Sequence, residues 1–320
     1  MKSLFLSTLV FMVWTCGATI RTVNNNPAGL AQFSYLQAAV NASASGDTIY
    51  VHASASNYGE VEIIDKRIAL IGPGISPDRN GPELTATVSV IRIKNINTTN
   101  ANGSLIMGLH CNYLLEISHN GSGNIGEPVN DVKLIRNRFT DASVVLYVGN
   151  NYGSKHMYNL YAEGNYFQNS SIGSASTSYY FTNCMFTNNV FARSNGFGGS
   201  IQSMNNCTNV IFDHNVFYGD QTNMNRLFGD YASGLTMKNN VFVNCVTNNT
   251  HPNGSYSIFN ISFTNNITFN CTNNSPWTLG NNIDGGGNIS NQNPQMGSQA
   301  AINTGTYSPL HDFSIASGPA

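Results

Sequence analysis

Six side chains of acid–base or metal-ligating type fall close together in the second half of the chain: Asp213, His214, Asp220, Arg226, Asp230 and Lys238. Grouped carboxylates are the hard oxygen donors that calcium takes, and a basic side chain beside them is what proton abstraction needs. The metal-ligating members would be Asp213, Asp220 and Asp230, yet no tight acidic pair recurs as a calcium cradle requires. Asp213 and Lys238 hold equivalent positions in successive repeats, so they are equally the makings of a cross-strand ion pair worth at most about 1 kcal/mol on a solvated face. A second chemistry lies in tyrosines concentrated in the middle of the chain, with Tyr158, Tyr161, Tyr179 and Tyr180 the leading set. Phenol faces stack on pyranose rings while asparagine amides bond hydroxyls; ordinary rim packing is the alternative. The sequence contains no G-x-S-x-G elbow, no P-loop and no HExxH helix, and Asp284-Gly285-Gly286-Gly287 lacks the alternation of a calcium-binding nonapeptide repeat.

The elements that must position these residues are legible as a repeat. An Asn-x-Phe signature recurs at Asn137 and Phe139, Asn165 and Phe167, Asn189 and Phe191, Asn215 and Phe217, and Asn240 and Phe242, with Asn266 and Thr268 closing the series. The spacings are 28, 24, 26, 25 and 26 residues, which is the period of a solenoid. Three and five residues before each Asn the side chain is apolar, as with Phe186 and Cys184 or Phe212 and Val210, while the residues between are mostly polar. Each unit therefore opens with a period-two strand having one buried face. The Asn breaks the strand, tolerating a left-handed bend, and its amide bonds to the same Asn in the coils above and below. The five Phe form an internal ladder at strand spacing, about 4.8 Å. The predicted fold is all-β: one right-handed parallel β-helix of about ten coils. A leucine-rich repeat lacks its consensus here, and a sandwich gives no reason for the recurring Asn.

Composition agrees with many similar tight turns. Charged residues are 9% of 320 and the net charge is -2, while Asn numbers 48 and Gly 30. Fourteen Lys and Arg scarcely supply a basic stripe, which argues against nucleic acid as a partner. A charged start, the apolar run Leu4 to Trp14 and small residues to Ala18 predict a secretory signal over residues 1–18, hence a secreted or cell-surface location with no membrane span. A lipoprotein signal at Cys16 is the alternative, for which Trp14-Thr15 is a poor lipobox. The remaining Cys111, Cys184, Cys207, Cys245 and Cys271 are odd in number and unpaired by motif, so they read as small buried hydrophobes. Upstream strands are expected near Thr48 to Val51, Val61 to Ile64, Ile68 to Ile71, Val88 to Ile93 and Leu114 to Ile117. Before them Phe33, Leu36, Ala39 and Val40 share a helical face ended by Gly46, predicting a helix in the 19–47 segment that caps the open end. The β-helix then occupies 48–300 and a last coil or tail 301–320. Thirteen Asn-x-Ser/Thr sequons would be glycan acceptors in a eukaryotic host, although one of them is the ladder residue Asn266.

The opening "SYLQAAVNASASGDTIYV", followed by "YGEVEIIDKRIALIGPG", resembles the capping helix and first coils of the pectin-lyase-like superfamily, in particular the secreted β-helix repeat proteins of Bacteroidetes-type bacteria. The final "YSPLHDFSIASGPA" resembles the last coil of such proteins, which usually runs on, so a continuation beyond Ala320 is expected. The superfamily includes lyases, hydrolases, adhesins and structural proteins, so the resemblance implies fold more than function. For a lyase it implies calcium on Asp213, Asp220 and Asp230, with Lys238 or Arg226 as base and His214 beside them, acting on uronate polymers. The hydrolase branch is represented only by the string Arg92-Ile93-Lys94, without that family's acidic pairs. The reading preferred from sequence is a structural or adhesive surface scaffold without a cofactor, contacting polysaccharide or cell-surface glycan. The alternatives are a calcium-dependent polysaccharide lyase and a fibre subunit that self-associates through the β-helix ends.

Overall fold

The computed structural model describes residues 17–74, 84–119, 128–140, 143–145, 156–173, 180–192, 200–219, 225–228, 232–247 and 258–296. Every strand pair among them is parallel, with near neighbours in the stack separated by one repeat. The first sheet holds eleven strands, from Ile20–Val23 to Ile283–Asp284, and the second holds twelve; a third of three strands runs through His156–Tyr158, Tyr180–Thr182 and Asn205–Thr208. The chain is thus a right-handed parallel β-solenoid. Its regular part is about seven turns rather than ten. Those turns run from Leu105–Met107 to Ile267–Phe269, each having a first-sheet strand followed directly by a second-sheet strand. Upstream that unit loosens, with Thr87–Asn95 a long strand, and in the first regular turn the long strand His110–His119 pairs with both Arg138–Thr140 and Ser143–Val145 as the sheet forks.

Period two holds through the regular turns. On the first sheet the middle residues Leu134, Ala162, Phe186, Phe212, Met237 and Phe263 are in register and fully buried. On the second sheet Phe139, Phe167, Phe191, Phe217 and Phe242 stack with ring centroids 4.9, 4.6, 4.7 and 5.2 Å apart. A shorter stack joins Phe186 to Phe212 at 4.4 Å.

The Asn bend differs from expectation in one respect. The left-handed residue is the one before each ladder Asn: Arg136, Gly164, Asn188, His214, Asn239, Asn265 and Gly287 all have φ between 51° and 69°. The ladder Asn keeps a negative φ because its side chain must point inward, and the residue ahead of it makes the corner. A second corner carries Asp131, Asn159, Asn183, Asn209, Gly234 and Asn260, again with positive φ. A third corner, directly after the second-sheet strand, carries Asn169, Asn244 and Asn270 with positive φ, and these recurring left-handed corners account for the surplus of Asn and Gly. Inside the corner each ladder Asn takes both the backbone N–H and the side-chain N–H of its predecessor on Oδ1. The Asn189 to Asn215 step measures 2.9 and 3.0 Å, and Asn189 Nδ2 also donates to the Ala162 carbonyl at 3.0 Å. The ladder runs one step beyond the sequence reading, to Asn288.

The N-terminal helix is Leu36–Ala42, with Leu36, Ala39 and Val40 buried against the first coils. Phe33 lies ahead of it, in a bridge to Val23, so the helix is one turn shorter than the sequence suggests. Lys66 Nζ donates to the carbonyls of Val40 and Ser43, where a cation suits the negative end of a helix. At the other end the chain leaves the coil after Asn291, and Met296 packs outside it on Ala192, Tyr218, Val241 and Val243. These outward residues of the second sheet form a small second core. Residues 1–16 of the signal expected over 1–18, and the tail 301–320, lie outside the described residues.

Candidate functional site

Parallel register brings Asp213 beside Lys238 on the outer face of the first sheet, as the repeat alignment requires. Lys238 Nζ lies 3.1 Å from Asp213 Oδ2, Asn239 Nδ2 donates to Oδ1 at 2.9 Å, and His214 Nδ1 lies 2.7 Å from the same oxygen. Burial opposes ionisation of this carboxyl. The bonds from Asn239 and Lys238 and the neighbouring charges nevertheless hold it below its ordinary value. Both carboxylate oxygens are thus occupied by protein donors. His214 projects from the left-handed corner and is 62% exposed. Arg226 does not join them: it sits in a separate two-stranded sheet, paired with Val246. Asp220 and Asp230 lie outside the described residues. Among the described residues no group of three His, Cys, Asp or Glu is placed to hold a metal ion.

The tyrosines divide between two faces. Tyr158 and Tyr180 stand on the third sheet with His156, whose ring stacks on Tyr180 at 4.8 Å and on Tyr158 at 5.4 Å. His156 and Tyr180 are register partners, and Tyr158 follows two residues after His156, so the three rings share one outer face. Tyr180 is 41% exposed. Tyr161 lies beyond the Asn159 corner on the first sheet, donating to Glu163 Oε2 at 3.0 Å. Tyr179 lies outside the described residues.

A third cluster was not recognised from sequence. Arg92 reaches Glu60 at 2.9 Å, Glu62 at 3.6 Å and Glu116 at 3.1 Å, and Lys94 reaches Glu62 at 2.9 Å. The signal was present as period-two charges in Glu60-Val61-Glu62 and Arg92-Ile93-Lys94, which fall in adjacent parallel strands. The apparent hydrolase string is thus the cationic centre of an outward ion-pair network. Nearby, His110 bridges Thr87 and Thr140 at 3.3 and 2.7 Å. Burial first, then the charge of Arg138, push its pKa down to about 4.

None of the five described cysteines is in a disulfide and all are buried, as the composition argument expects. Burial pushes the thiols of Cys111 and Cys184 up to about 11. No described helix is long and apolar enough to cross a membrane. Neither a protein-family model nor a curated protein matches the chain.

Proposed function

We propose that the chain is a secreted or cell-surface β-helix of the pectin-lyase-like type, serving as a rigid scaffold whose third-sheet face contacts carbohydrate. The observation that carries this reading is the ring row of Tyr158, His156 and Tyr180, stacked across two coils with Tyr180 half open to solvent. A flat aromatic edge on a stack that cannot flex suits a repeating sugar chain, which presents alternating apolar faces and hydroxyls. The scaffold role rests on the continuous amide and phenyl ladders, which give the interior one solution per turn. The Asp213 and Lys238 pair is read as part of that scaffold, because each charge is already spent on the other.

Two measurements test the reading. Pull-down of the purified protein on insoluble polysaccharides and on a glycan array should show retention that Tyr180→Ala weakens about tenfold, the loss of one stacking contact. An eliminative-cleavage screen on pectate, alginate and glycosaminoglycans, with calcium and then a chelator, should stay silent. Calcium-dependent unsaturated-uronide absorbance abolished by Lys238→Ala would replace the scaffold with the lyase.

A further inference from the structure

The outer face of the first sheet carries an apolar strip to which neither the fold nor the aromatic row assigns a role. Its outward side chains form two rows, the first and third residues of each three-residue strand. Leu105 and Met107 come from one strand, Ile135 from the next, and Met185 and Ile211 from later ones, all partly exposed. At about 4.8 Å per coil these five coils cover roughly 20 Å of flat surface. Three charges interrupt the strip: Lys133, exposed in the first row, Glu163 in the third row of the next coil, and Asp213 in the third row of the Ile211 coil, the last already paired with Lys238; Tyr161 and Thr187 are the remaining outward residues. No described group makes an ion pair with Lys133 or Glu163, and Glu163 accepts only the Tyr161 hydroxyl among described side chains.

We propose that this face packs against the same face of a second copy of the chain, forming a two-fold dimer of solenoids side by side. With the two-fold axis parallel to the stack, the first row of one copy lies over the third row of its partner, coil for coil. Leu105 then meets the partner's Met107, and Lys133 comes within one coil spacing of the partner's Glu163, a gap that a lysine side chain spans. Symmetry supplies the second such pair, while Ile211 lies over the partner's Asp213, whose charge the Lys238 of its own chain already neutralises. Flat parallel strands favour this packing, since two sheets lie face to face about 10 Å apart with their side chains interleaved. A strip of this size is below the roughly 800 Å² per partner of tight complexes, so the dimer should dissociate in the micromolar range.

Sedimentation equilibrium of the purified protein from about 1 to 200 μM tests this, the range in which a micromolar dimer shifts from mostly monomer to mostly dimer. The expected result is a concentration-dependent doubling of mass that Met107→Glu abolishes and that Lys133→Glu weakens at least tenfold. The double swap Lys133→Glu with Glu163→Lys should restore it. Circular dichroism and the unfolding midpoint of each variant check that it folds, and both substitutions sit at outward positions. A wild-type chain that stays monomeric throughout overturns the proposal. So does a dimer indifferent to Met107→Glu and Lys133→Glu, or a monomer whose strip instead binds phosphatidylcholine vesicles in a Met107→Glu-sensitive manner.

Discussion

At the residue scale the side chains that matter most for the fold are uncharged. Asn215 is fully buried and makes bonds to Asn189, Asn240 and the Phe186 carbonyl. Replacing it by Ala strands a backbone N–H, a side-chain amide and a carbonyl in the interior, at about 1 to 3 kcal/mol each. Urea unfolding of Asn215→Ala should therefore show a loss of about 3 to 5 kcal/mol, against about 1 kcal/mol for Asp213→Asn on the outer face. His110 supplies the acid sensitivity. Its pKa in the folded chain, about 4, lies below the unfolded value of 6.5, so the unfolded state takes up the proton first. Its stabilisation is complete above pH 6.5 and is lost as the pH falls toward 4, by at most about 3 kcal/mol and less where solvent screens the partly exposed ring. His110→Gln should flatten the stability profile in that window. Below it Asp47, Asp65 and Asp213, all held under their ordinary value, add a second loss as each is protonated.

At the scale of the element, the left-handed corners make a sharper test than the strands. Asn188 is exposed at φ 55°, and Gly234 has φ 72° with the Cys207 carbonyl oxygen 2.3 Å from where a Cβ would stand. Asn188→Gly should be neutral and Asn188→Val should cost about 1 to 2 kcal/mol, the price of a β-branched residue in that region. Gly234→Ala should cost more than Gly286→Ala, which meets the same backbone strain with nothing within 4 Å. Chemical denaturation of the four variants decides the order. The elements were legible in sequence where the repeat was strict. Val132, Leu160 and Ile261 fell on the buried side as the alternation required, because period two and a fixed coil length leave one register. The corner was misplaced by one residue, since an Asn that tolerates a positive φ and an Asn that supplies an inward amide look alike. Asn288 escaped notice because its step is 22 residues and no Phe follows it.

For the whole molecule, the sequence carried the architecture but not how many turns are regular, nor what the surfaces bring together. The first coils lack the Asn-x-Phe signature, and the outer packing of Met296 on Tyr218 crosses about eighty residues with no periodic trace. The candidate site was partly readable: Asp213 and Lys238 meet, but Arg226 stands on a different sheet, a separation that spacing alone does not encode. The buried cysteines give a global readout. In the folded protein the thiols of Cys111, Cys184, Cys207 and Cys245 should resist an aromatic disulfide reagent at pH 8 and become titratable together with unfolding, because burial shields the sulfur and disfavours the thiolate.

The amide ladder also gives the molecule a polarity. From Asn137 to Asn266 every Asn-to-Asn bond is donated toward the C-terminal end and accepted from the N-terminal end, so the amide dipoles align head to tail along the axis. The positive pole ends at Asn288, whose Nδ2 lies 2.7 Å from the Asp284 carboxylate, a counter-charge at the terminus of an oriented array. The two ends of the stack are therefore electrically unlike. Copies joined end to end would have to line up in one sense, as a filament with a plus and a minus end, whereas a closed pair has to form through the sides.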